Sequence, residues 1–347
     1  MLVAAPVEAC LGLGNDINAA VQQARAHIAC YRGDVDAVSP GDITRRERLR
    51  PGDRVRLISP ASTPSSAEVQ YATKVLQGLG LQVDCGEHVL DAVGYMAGTD
   101  EDRLQDLNDA LRDPGVAAVV ATRGGKGAYR IANGLDLIAA RDNRSLMIGF
   151  SDITVLHLAL WRGCRLPGIH GAAWGADEFG PDMAASFRRA IMLSEPTEVR
   201  SVAAEPTAEL TTTGRASGPL VGGNQYMVAT SAGWNLPSLN GAVLLLEAFG
   251  MRLGHIDRQL TMLTNAGLLR HVVGVAVGQY TDCGPDATTQ GDWTAIDVLR
   301  DRLHRLGVPV LGGLPIGHGR PATAVPVGTM ATLDADAGTL TVASAVS

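Results

Sequence analysis

Three side chains in this sequence have the types that acyl-transfer chemistry needs, and they occur in the order serine, glutamate, histidine. Ser151 directly follows the apolar run "LMIGF" and opens "SDITVLHLALW", a stretch with helical apolar spacing. A serine between a buried strand and a helix has the geometry of a nucleophile elbow, although the second glycine of G-x-S-x-G is missing. The same position also suits an ordinary helix N-cap, a role that Ser151 or Asp152 could fill. A nucleophilic serine needs a base within hydrogen-bond reach and a carboxylate to orient that base. Glu247 ends "AVLLLE", at the tip of a strand-like run where an unpaired charge is costly. A salt bridge to Arg252 or Arg258 would answer that cost equally well. His318 lies in "LGGLPIGHGRP", where flanking glycines let an imidazole approach another element closely. Taken alone, it reads as a surface loop histidine.

A second stretch, "ATRGGKGAYR" at 121–130, follows the apolar run "GVAAVV" and surrounds Lys126 with glycines. Lys126 and Lys74 are the two lysines of the chain. A Walker loop requires Ser or Thr after its lysine to reach Mg²⁺, whereas Gly127 and Ala128 follow here. The spacing also fails the dinucleotide fingerprint. A tight strand-to-helix turn with glycines at positive φ is the plain reading, and its nearness to Ser151 suggests an oxyanion loop.

The elements that must position these groups alternate. "VRLISPA", "LQVDCG", "VAAVVATRGG" and "LMIGFSD" read as strands, interleaved with the helical patterns of "AEVQYATKVLQGLG", "DEDRLQDLNDALRDP" and "TVLHLALWRG". This is the signature of an α/β fold with a doubly wound, mostly parallel sheet of the Rossmann or flavodoxin kind. Active groups in such sheets sit beyond the carboxyl ends of strands, where both "TRGG" and "GFSD" fall. Residues 1–50 read as an N-terminal extension, with a short helix in "NDINAAVQQARAHIACY" and then a polar linker. The N-terminal domain is expected over 51–180, a Pro/Thr-rich crossover over 181–216, and a smaller C-terminal α/β domain over 217–347. The active site would lie at the domain interface. In the last domain, "TMATLDADAGTLTVAS" carries a hairpin signal.

Composition excludes several classes. A net charge of −7 and scattered arginines leave no basic footprint for nucleic acid. No apolar run approaches the roughly 18 residues of a membrane span, and the start lacks the basic n-region of a signal peptide. Five cysteines, far apart and without a CxxC pair, suggest neither a disulfide framework nor a zinc site. A cytoplasmic protein without metal or organic cofactor is expected.

"LRPGDRVRLISPAS", "GYMAGTDEDRLQDLNDALRDPGVAAVVATRGGKGAYR", "IGFSDITVLH", "GPLVGGNQ", "LLLEAFG", "HIDRQLTML", "GVAVGQYTDC" and "PIGHG" follow one another in a single order. From about Leu49 to near the C-terminus, this series resembles the LD-carboxypeptidase family of serine peptidases, which includes the microcin C immunity peptidases. The resemblance implies Ser151 as nucleophile, His318 as base and Glu247 as its orienting acid. It further implies an oxyanion hole from the backbone amides of Asp152 and Gly125, with Arg123, Gly124, Lys126 and Asn224 lining the substrate site. It also implies a small peptide or peptide-like substrate, by default the L,D bond of a murein tetrapeptide, and a homodimer. The alternatives are an immunity-type or natural-product amide hydrolase, or a non-catalytic binding protein on the same scaffold. The chain departs from the family pattern at four places. Lys126 stands where Tyr is frequent, Gln225 where Leu is usual and Ala172 where Pro is expected, and the second acidic residue after Glu247 is missing.

Overall fold

The computed structural model describes residues 43–171, 181–286 and 291–347. The expected extension helix and Ala172 lie outside these residues.

Two sheets share the described chain. The first is built from β1 (Arg54–Ile58), α1 (Ser66–Gly78), β2 (Gln82–Cys85), α2 (Asp100–Arg112), β3 (Val116–Ala121), α3 (Ala128–Ile131), α4 (Leu137–Asn143), β4 (Leu146–Gly149), α5 (Thr154–Cys164) and β5 (Gly168–His170). Its five strands run parallel in the order β5-β4-β3-β1-β2, the flavodoxin-type arrangement. Every residue of β3 and β4 is buried, which explains their unbroken apolar sequences. The helices start where their side chains satisfy free backbone amides. Ser65 with Glu68 forms a capping box at α1, and Thr99 with Asp102 forms one at α2.

After α6 (Pro181–Met192) the chain builds the second sheet. Its elements are β6 (Thr197–Arg200), β7 (Arg215–Asn224), α7 (Gln225–Thr230), β8 (Val243–Phe249), α8 (Leu253–Asn265), β9 (Gly274–Thr281), α9 (Ala295–Leu303), β10 (Val310–Leu311), β11 (Val325–Val327), β12 (Met330–Asp334) and β13 (Thr339–Val342). The order is β10-β9-β8-β7-β12-β13-β6, parallel from β10 to β7 and antiparallel beyond. With seven strands it is the wider sheet, and β12–β13 is the hairpin read from the D-A-G turn. β11 is the exception. It crosses back and pairs antiparallel with β5, at the edge of the first sheet.

The stretch read as a crossover contributes to both layers. Phe187, Ala190 and Ile191 of α6 pack into the first core, and β6 forms an edge of the second sheet with Thr197 and Val199 turned inward. Four alternating residues are too few to stand out as a strand in sequence.

α5 joins the layers. All of its residues except Arg162 are buried, as expected of a helix covered on every side. Leu158 and Trp161 belong to the core of the second sheet, whereas Val155, Leu156 and Leu160 belong to that of the first. Removing each such side chain from water contributes about 2 kcal/mol. Polar contacts fix the register between the layers. Asn235 Nδ2 donates to the Val155 carbonyl at 2.8 Å, Arg162 to the Trp234 carbonyl at 2.6 Å, and the Asn224 amide to Thr154 Oγ1 at 3.0 Å. Among the described residues, no helix is long and apolar enough to cross a membrane.

Candidate active site

Ser151 sits at the carboxyl end of β4 with φ +61°, a left-handed conformation that a non-glycine residue rarely adopts. Phe150 before it is extended, and a single 3₁₀ turn, Ser151–Ile153, leads into α5. Neither Ser151 nor Asp152 caps α5 with its side chain, so the N-cap reading does not describe this turn. The Asp152 carboxylate accepts instead from the Ala128 amide at 2.8 Å, fastening the glycine loop to the serine turn. Burial pushes the Asp152 carboxyl up to about 6, against the lowering effect of the Ala128 amide and of Arg103.

The glycine loop is clamped from three sides. Besides Asp152, Ser62 Oγ accepts from the Lys126 amide at 3.1 Å, and the buried Arg103 donates to the Gly127 carbonyl at 2.9 Å. Gly124 lies so close to the serine that a Cβ there would be 2.8 Å from Ser151 Cβ and 3.2 Å from Oγ. Gly125 has φ +110°, and its amide donates to no protein acceptor among the described residues.

Glu247 and His318 come from the second sheet. Glu247, on β8, is fully buried, and His318 Nδ1 donates to its Oε2 at 2.7 Å. A carboxylate can only accept, so this bond fixes the tautomer with the proton on Nδ1 and leaves Nε2 free to take one. Neither Arg252 nor Arg258 pairs with Glu247, which removes the salt-bridge alternative. The close approach depends on glycine. Gly317 has φ +134°, and a Cβ there would be 2.9 Å from Glu247 Oε2. The imidazole is held between Phe150 and Phe249, with ring centroids at 4.9 and 5.2 Å. The imidazole is therefore packed against the residue adjoining Ser151. Among the described residues no hydrogen bond yet joins Ser151 Oγ to the ring; such bonds commonly tighten only when substrate binds.

A cleft of about 1110 Å³ opens beside Ser151. Gly125, Lys126, Asp152 and Asn224 line it, together with Tyr95, Tyr129, Tyr226, Trp234 and Phe249. Tyr95 and Tyr129 bring their hydroxyls to 3.3 Å, and this bond together with burial pushes the Tyr129 phenol up to about 12, so it stays protonated. Lys126 is exposed and has no ion-pair partner among the described residues. Asn224 caps α7 with its side-chain oxygen. Arg123 does not line the cleft. Its guanidinium lies 3.7 Å from Glu68 and donates to the Thr63 carbonyl, because α1 presents the nearer carboxylate.

Sequence reading missed several contributors. Gln279 accepts from the Gly319 amide at 2.8 Å and donates to Glu205 at 2.8 Å, anchoring the His318 loop. His170, at the end of β5, is buried beside Glu247. Arg103, on α2, is buried by tertiary packing. Only the "GQY" and "GIHG" stretches carried any signal, since each ends an apolar strand, β9 in the second sheet and β5 in the first. Among the described residues, His88, Asp91 and Asp102 could gather around a cation, but they lie outside the cleft, and Asp102 is engaged by Thr99.

Residues 55–171 match the LD-carboxypeptidase N-terminal domain, and residues 217–333 match the LD-carboxypeptidase C-terminal domain. The chain belongs to the LD-carboxypeptidase family. It is a serine-type carboxypeptidase of that family. Its relatives include the "Probable murein peptide carboxypeptidase" of Bacillus subtilis, 34% identical over 86% of this chain and 94% of the relative. The murein tetrapeptide carboxypeptidase of Pseudomonas aeruginosa is 32% identical over 81% of this chain and 93% of its own length. The fold is also that of the microcin C7 self-immunity protein MccF, solved with aspartyl sulfamoyl adenosine. That structure has a TM-score of 0.77 at 20% identity, covering 87% of this chain and 99% of MccF.

Proposed function

We propose that this LD-carboxypeptidase family member hydrolyses an amide bond through Ser151, His318 and Glu247, by way of an acyl-enzyme. His318 Nε2 takes the Ser151 proton as Oγ attacks the carbonyl, and Glu247 stabilises the imidazolium that results. The amides of Gly125 and Asp152 receive the oxyanion, His318 returns its proton to the leaving amine, and water then releases the acyl group. The observation that carries this reading is the 2.7 Å bond from His318 to fully buried Glu247, with the ring packed on Phe150 next to a left-handed serine.

The substrate that the relatives' names favour is a murein tetrapeptide, cleaved at its terminal L,D bond with release of D-Ala. Incubation with the tetrapeptide, followed by mass spectrometry, should show D-Ala release by the wild type and none by Ser151→Ala with unchanged secondary structure. Equal inertness of both proteins toward the peptide and toward a fluorophosphonate would instead favour a non-catalytic scaffold.

A second reading, an amide hydrolase for a small anionic metabolite, draws support from Lys126. Unpaired at the cleft among the described residues, it can attract a carboxylate or phosphate that a tyrosine would not.

A further inference from the structure

Glu247 uses only one of its oxygens on His318. Among the described residues its other oxygen, Oε1, is buried without a hydrogen-bond partner, and so are both ring nitrogens of His170. These unpaired atoms face each other, with His170 Nε2 lying 3.8 Å from Glu247 Oε1. His170 is 1% exposed, and Glu247 is fully buried. An unpaired buried carboxylate oxygen costs more than an unpaired neutral group, so the side chain facing it matters most.

The surroundings hold His170 in this place. It ends β5, in register with Gly149 of β4 on one side and Val325 of β11 on the other. Gly223, with φ +139°, makes room for the ring, because a Cβ there would be 2.9 Å from its Cε1 and Nδ1. Phe150 packs edge-on at 6.3 Å between centroids, and His157 of α5 lies 6.4 Å away. The titratable groups facing His170 are Glu247, His318 and His157. Burial, together with these two histidines, holds its pKa well below the ordinary value, so the ring is neutral.

We propose that His170 is a positioning residue for the reaction, a neutral imidazole that presents Nε2–H to Glu247 Oε1 and so stabilises the carboxylate that His318 depends on. The inference rests on the triad reading above. Its consequence concerns charge. With His318 neutral and ready to act, the pair carries a full buried negative charge; once His318 is protonated, it is an ion pair with no net charge. A donor at Oε1 stabilises the first state more than the second. Removing it raises the proton affinity of the pair, so the free base appears only at higher pH.

The test compares His170→Phe with His170→Gln, which keeps an N–H donor, using the rate of Ser151 labelling by a fluorophosphonate and the His318 titration followed by NMR. In His170→Phe the acid limb of labelling and the His318 titration should both move up by about one pH unit. Labelling should then be roughly tenfold slower on the acid side and near wild type above the limb. His170→Gln should keep both close to wild type. A uniform loss at all pH values in both variants, or an unchanged His318 titration in His170→Phe, overturns the proposal. Failure of the triad reading is separately recognisable, as equal labelling of wild type and Ser151→Ala.

Discussion

Gly124 offers the sharpest perturbation of the serine turn, because the smallest possible addition reaches Ser151. In Gly124→Ala the new Cβ would sit 2.8 Å from Ser151 Cβ, 3.1 Å from the Phe150 carbonyl oxygen and 3.2 Å from Ser151 Oγ. Carbon atoms in ordinary contact are about 3.5–4.0 Å apart, so the turn or the loop must yield by roughly 1 Å. The loop is held by Ser62, Arg103 and Asp152, and Ser151 already occupies a left-handed conformation, so neither side gives way freely. Overpacking of this kind costs about 1–3 kcal/mol of stability. A 1 Å displacement of a reacting group costs about a hundredfold in rate. Gly124→Ala should therefore remain folded with a slightly lower melting temperature, while kcat and fluorophosphonate labelling fall about a hundredfold. A variant with wild-type kcat and an unchanged melting temperature would refute the idea that loop and serine are in rigid contact.

Three further outcomes follow from the same geometry. Glu247→Gln lets the side-chain amide donate to His318 Nδ1 and so favours the wrong tautomer, and kcat should drop by about 10³–10⁴ with little change in KM; a loss under tenfold would refute this role. Asp152 has its folded pKa raised to about 6 from an ordinary value of 3.8, so its contribution to stability is full below about 4 and is lost as pH rises through 6. Asp152→Asn keeps an acceptor for Ala128 but removes that loss, and thermal melts should show the variant gaining on wild type by about 3 kcal/mol between pH 4 and 7; parallel melting curves across that range would contradict the assignment. Lys126→Met should raise KM by up to about fivefold for amides bearing a carboxylate or phosphate and leave neutral amides unaffected; an unchanged KM for every acidic substrate tried would remove Lys126 from recognition.

The parallel sheet, the serine turn and the hairpin were legible because each rests on local sequence. Unbroken apolar runs such as "VAAVVA" announce buried strands, and a serine between such a run and an amphipathic helix announces a turn at the sheet edge. His170, Gln279 and Arg103 were not legible, because their roles arise from partners far away in the chain. Gln279 meets Gly319 and Glu205, and Arg103 meets the Gly127 carbonyl. Arg123 illustrates the converse. Beside the glycine loop in sequence, it lies 3.7 Å from Glu68, whose position depends on how α1 lies on the sheet.

The return of β11 to the first sheet has a bearing on how this enzyme can be divided. The His318 loop leaves β10 in one sheet and ends at β11 in the other, so this histidine is strung between two anchored ends. Hinging the layers apart like a clamshell would first strip β11 from β5, three paired residues that also flank His170. An N-terminal fragment ending before Ser217 would lack its edge strand as well as the His318 loop, so the two halves cannot be exchanged between relatives as independent cassettes.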